Sequence, residues 1–116
     1  MGSSGTGSFG DLRTPSTSEL CLIAIKEALL EEVALSEYYK NQYKVPEKGH
    51  DVEVSDSTVN GRIVVISSSS MDIIGFMPSR YSYLLGCMKK GHRYAGKVVF
   101  SGASPIPKVM VNLDAN

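Results

Sequence analysis

Between residues 75 and 94 the sequence reads GFMPSRYSYLLGCMKKGHRY, which sets Phe76, Tyr81, Tyr83 and Tyr94 among Arg80, Lys89, Lys90, His92 and Arg93. Rings and cations interleaved in this way can bind an extended anionic strand. Aromatic faces take up stacked planar groups, at about 1–3 kcal/mol each, while guanidinium and ammonium groups follow the phosphates. The same residues also have an ordinary structural use. Lysines complement the negative end of a helix dipole, and tyrosines pack against a core with their hydroxyls wet.

Catalytic chemistry finds little support in the sequence. There is no Gly-x-Ser-x-Gly, no phosphate-binding or dinucleotide glycine pattern and no His-Glu-x-x-His. Between residues 57 and 113 the only acid is Asp72, so that half offers no pair of carboxylates for acid–base work. Cys87 and His92 stand five residues apart with no third group to orient them. His50 and His92 are isolated, so no metal-ligand spacing is formed. The expectation is a chain that is not an enzyme and that holds neither a metal nor another cofactor.

Charge is unevenly distributed although the formal net charge is zero. Residues 11–56 carry five basic and ten acidic side chains, and residues 57–113 carry seven basic side chains against Asp72. Such asymmetry hints at an anionic partner for the basic half, or at mutual neutralisation of the two halves within the fold.

These groups must be positioned by one small domain, because 116 residues allow a single core. The Gly/Ser-rich opening, residues 1–13, reads as a flexible leader or an added tail, which leaves 14–116 for the domain. PSTSELCLIAIKEALLEE then has the spacing of a capping box at Ser16 and Glu19, with Leu22, Ile25, Leu29 and Val33 at three- and four-residue steps. This predicts an amphipathic helix from about 17 to 31 or beyond. Residues 32–45 are ambiguous, since Ala, Leu and Glu favour a helix whereas Tyr38, Tyr39, Tyr43 and Val45 suit a strand.

From residue 51 the period changes. DVEVS alternates, GRIVVIS is a β-branched run suited to a strand buried on both faces, and the Asn-Gly of TVNG between them favours a hairpin turn. MDIIGFM gives a third strand ended by Pro78, and YAGKVVFSG and PKVMVNLD give two more. Between them SRYSYLLGCMKKG predicts a helix over about 79–90, with Ser79 as N-cap and Gly91 closing its end. The fold class expected is α+β: an N-terminal amphipathic helix, then a small, strongly curved antiparallel sheet or barrel over about 51–113 with one covering helix.

The stretch GRIVVISSSSMDIIGFMPSRYSYLLGCMKKGHRYAGKVVF, and within it IGFMPSRYSYLL at 74–85, resembles the second half of a HIRAN domain. The resemblance covers roughly residues 51–113 and implies an SH3- or OB-like barrel that binds single-stranded DNA or DNA ends. It implies a role for Tyr38 and Tyr39 as counterparts of a family aromatic pair, and for Phe76, Ser79 and Arg80 as pocket-lining positions. Helicase-linked members carry an Asn-Pro-Tyr-Asp-like segment where this chain has SDSTVNGRI. Lys89, Lys90, Arg93 and Lys97 complete the expected basic surface.

A different class of function is also consistent with the sequence, namely self-association or docking to a partner protein through Leu22, Ile25 and Leu29 of the first helix. Cys21 and Cys87, 66 residues apart and without a CxxC, read as buried reduced thiols of a cytoplasmic protein. No apolar run approaches the roughly 18 residues of a membrane span.

Overall fold

The computed structural model describes residues 17–116. The leader at 1–13 and the expected cap at Ser16 lie outside the described residues. The fold is α+β, built on one strongly curved antiparallel sheet of six strands. In chain order these are β1 (Ile25–Leu29), β2 (Asp51–Val54), β3 (Val64–Ser67), β4 (Ile73–Phe76), β5 (Tyr94–Gly102) and β6 (Lys108–Ala115). Their order in the sheet is β1-β6-β5-β2-β3-β4. Among the described residues three short helices accompany them: α1 (Thr17–Leu22), α2 (Glu37–Gln42) and α3 (Leu84–Lys89).

The β-rich half follows the alternation of its sequence. Val52 and Val54 of β2 face the core, and all four residues of β3 are buried, as a continuous β-branched run requires. Val59 and Arg62 exchange backbone hydrogen bonds around Asn60 and Gly61, both at positive φ, which is the turn that the Asn-Gly pair favours. On β6, Val109, Val111 and Leu113 point inward, and Val98 and Tyr94 of β5 meet them in the core.

The sheet curls until its two edges touch. Just after β1, Glu31 exchanges two backbone hydrogen bonds with Phe76 of β4, at 2.8 and 3.0 Å. Gly75 makes this approach possible, because a Cβ there would lie 3.0 Å from both the Glu31 carbonyl oxygen and Leu30 Cβ.

The helix expected to reach residue 31 ends at Leu22, and the chain continues as β1. The reason lies at Glu27, which sits at φ 52 in a bulge that places Ile25 opposite Leu113 but Ala28 opposite Val111. The Asn112 side chain accepts a hydrogen bond from the Glu27 amide at 2.7 Å and secures the extra residue. Inward positions therefore fall at Cys21, Ile25, Ala28, Leu30 and Val33, a spacing close to helical, while Leu22 and Leu29 are exposed. The helical face proposed for self-association does not form, since Ile25 belongs to the sheet core. Residues 32–45 form a 3-10 turn at Val33–Leu35 and then α2, with Ser36 as its N-cap through the Tyr39 amide.

The second expected helix is also shorter. Ser79–Tyr81 is a 3-10 turn, α3 begins only at Leu84, and Ser79 makes no side-chain cap. Gly91, at φ 101, closes the end of α3 as expected.

Cys21 and Cys87 are buried as expected but are joined to each other, not reduced. Packing of α1 against α3 brings their Cα atoms to 5.5 Å, a separation that linear spacing does not reveal. Beside the bond, the Tyr94 hydroxyl donates to the Cys21 carbonyl at 2.7 Å. Closure of a 66-residue loop stabilises the fold, in the chain-entropy picture, by about 4 kcal/mol. The Cys21→Ala/Cys87→Ala variant should lose stability of that order in denaturant unfolding, and the native protein should show no titratable thiol. Two thiols that label in the native state would contradict the bond.

Candidate nucleic-acid interface

Three hollows with lining residues in common adjoin the β2–β3 connection, two of them facing the 78–93 segment and the third reaching over β2 and β3. The largest, about 510 Å³, lies between Asp56, Thr58 and Gly61 on one wall and Leu85, Met88, Lys89 and Arg93 on the other. A second, about 120 Å³, shares Gly61 and Leu85 with it and continues past Arg62, Pro78 and Ser79. The third, about 280 Å³, shares Asp56 and Arg93 and continues toward Glu53 and Met71. Lining residues held in common join the three into one furrow.

Arg93 stands where two of the hollows meet. Its Nη1 donates to the Met88 carbonyl at 3.2 Å and the His92 carbonyl at 2.8 Å, so the guanidinium is held at the end of α3. Lys89 is exposed on the same wall, and Lys90 beside it faces solvent. Ser79 lines the narrow hollow, and Arg80 next to it is exposed with its Cζ 4.8 Å from the centre of the Tyr81 ring.

Other expected contacts lie elsewhere. Tyr38 is 6% exposed and packs edge-on against His50, with ring centres 5.7 Å apart, so it belongs to the core. Tyr39 is half-buried on α2. Phe76 lies beneath Arg62, whose Cζ is 4.1 Å from the ring centre and whose guanidinium pairs with Glu31 and Glu32 at 2.6 Å each. One face of that ring is already covered. Lys97 is exposed and paired with Asp51, which holds the Asp51 carboxyl below its usual range, first through the hydrogen bond and then through charge. The structure therefore brings Ser79, Lys89 and Arg93 together in the furrow with Arg80 and Lys90 on its flank. It leaves Tyr38, Tyr39, Phe76 and Lys97 outside.

Asp56, Thr58, Leu85 and Met88 also line the furrow, and sequence reasoning does not single them out. The hairpin turn that follows Asp56 and Thr58 is a signal that could have placed those two, but Leu85 and Met88 read equally well as core. A further pairing joins residues distant in sequence: His50 Nε2 lies 2.7 Å from Ser67 Oγ. Ser67 is fully buried and touches Ser69 and the Ser70 amide, so the pair ties loop 67–70 to the sheet. Cys87, bonded to Cys21, has no thiolate to offer His92.

Among the described residues no group of His, Cys, Asp and Glu could hold a metal ion, and no helix is long and apolar enough to cross a membrane. No protein-family model, no curated protein and no solved structure matches this chain.

Three tyrosines around the core have phenols held above their ordinary value of 10.0. For Tyr38 the main cause is burial, reinforced by Glu47 and Asp72. For Tyr94 it is burial and then Tyr83, and for Tyr83 it is burial and then Tyr81. A phenol whose folded pKa is raised contributes stability that is fully present below the unfolded value, near pH 10, and is lost as pH rises through the folded value. Unfolding free energy should therefore fall above about pH 10. The fall should be shallower in the Tyr38→Phe variant, as followed by urea unfolding across that range. An unchanged slope would show that Tyr38 does not carry the linkage.

Proposed function

We propose that this chain is a non-catalytic module that binds single-stranded nucleic acid along the furrow, with Lys89 and Arg93 as phosphate contacts and Arg80 and Lys90 adding to the field at its rim. The observation that carries the reading is the continuity of the three hollows past Arg93. A strand laid there meets apolar side chains at Leu85 and Met88, the anchored Arg93 guanidinium and the exposed Lys89. The resemblance of residues 74–85 to HIRAN domains supports single-stranded DNA as the form bound, and supports a HIRAN-like identity for the barrel. The segment SDSTVNGRI, which replaces the family's Asn-Pro-Tyr-Asp-like stretch, favours tolerant binding along a strand over capture of its end. With the cysteines joined, their spacing no longer argues for the cytoplasm.

Titration of a labelled single-stranded oligonucleotide at two salt concentrations tests this. Affinity should fall steeply with salt, because each phosphate contact releases counterions. The Lys89→Ala/Arg93→Ala variant should bind more weakly, with the slope of log K against log salt flatter by about 1.4 once two cations no longer meet phosphates. Lys89 is an exposed charge that adds little to stability, while loss of the two Arg93 hydrogen bonds should lower melting modestly without unfolding the chain. Absence of binding by the wild-type protein at low salt, or an unaltered salt slope in the variant, would overturn the proposal.

A further inference from the structure

The most exposed aromatic side chain among the described residues lies at the end of α2, away from the furrow. Tyr43 ends that helix at φ 58 and ψ 26, with its amide donating to the Tyr39 carbonyl at 2.9 Å. This is the left-handed helix end at which glycine, or sometimes asparagine, is the usual residue. A bulky side chain there is strained by its Cβ. The ring does not repay that strain within the chain, since Tyr43 is 88% exposed. Exposed Glu32 and Met71 hold the same left-handed backbone, so it is the open ring, more than the strain, that marks Tyr43 as available to a partner.

The neighbours define the partner. Lys40, Asn41, Gln42 and Lys44 are all exposed and polar, so the ring is not the centre of an apolar patch suited to a protein interface. Two ammonium groups, two amides and one open aromatic face are the groups that grip unpaired nucleotides, by stacking on the base and neutralising the phosphates on either side. The nearest acid upstream, Glu37, is turned away to accept the Ile73 amide at 3.0 Å.

We propose that Tyr43, flanked by Lys40 and Lys44, is a second contact for the single strand, in which one unpaired base stacks on the Tyr43 ring. The inference rests on the furrow reading. Its location separates the two sites: α2 packs on β4 and the Val33–Leu35 turn, whereas the furrow is bounded by the hairpin and α3. The two contacts lie on different elements, so only a longer strand reaches both.

The full chain is tested with two oligonucleotides, of about 5 and about 16 nucleotides, near the two ends of the usual site size of small barrels. The short one fills the furrow and the long one reaches Tyr43. Tyr43→Gly relieves the backbone and should raise the melting temperature. It should nevertheless weaken binding of the long oligonucleotide about tenfold, and leave the short one unchanged. Tyr43→Phe should bind as the wild type does, and Tyr43→Asn, which tolerates the same backbone, should behave as the glycine variant. Equal affinity of Tyr43→Gly and wild type for the long oligonucleotide overturns this inference alone. Failure of the wild type to bind either one overturns the furrow reading and this contact with it.

Discussion

The chain passes from one edge of the sheet to the other within two residues of leaving β1, and the rest of the fold depends on that crossing. The Leu30 amide still bonds to Val109 of β6, while Glu31 already pairs with Phe76 of β4. The backbones can meet only because Gly75 has no Cβ to fill the space. Arg62 then closes the seam from outside. It pairs with Glu31 and Glu32 and covers Phe76 with the same guanidinium. Each of these ion pairs is about half exposed and contributes little by itself. Their effect is geometric, because Arg62 follows Asn60-Gly61 and so fixes the hairpin that forms one wall of the furrow.

The opposite wall is fixed differently. A six-residue helix such as α3 has little stability of its own. Leu84, Cys87 and Met88 bury its inner face, and the bond to Cys21 ties it to α1. Its outer residues, Lys89 and the turn through Arg93, are thereby held across the hollow from the hairpin. The proposed binding would use both walls, so the bridge at Gly75 and the bond at Cys87 support the furrow although neither lines it.

Strands β2 to β6 were legible in the sequence because local alternation and β-branched runs suffice to define them, and the Asn60-Gly61 turn because few residues accept its backbone. The first forty residues were not. The bulge at Glu27 gives a strand the inward spacing of a helix, and its cause, the Asn112 side chain, lies 85 residues away. The disulfide was hidden for the same reason: spacing along the chain carries no information about the meeting of α1 and α3. At the furrow, the exposure of Lys89 and Arg93 was legible because a cluster of charge seldom faces a core. The rings were not, since nothing local separates the buried Tyr38 and the covered Phe76 from the exposed Tyr43.

Whether the furrow between hairpin and α3 receives an unpaired strand can be read from backbone amide shifts of the isotope-labelled protein, followed during addition of a single-stranded oligonucleotide. The largest changes should fall at Gly61, Leu85, Lys89 and Arg93, on both walls of the furrow. Changes confined to the outer face of β1, β6 and β5, where Leu29, Met110 and Phe100 lie side by side, would contradict binding in the furrow.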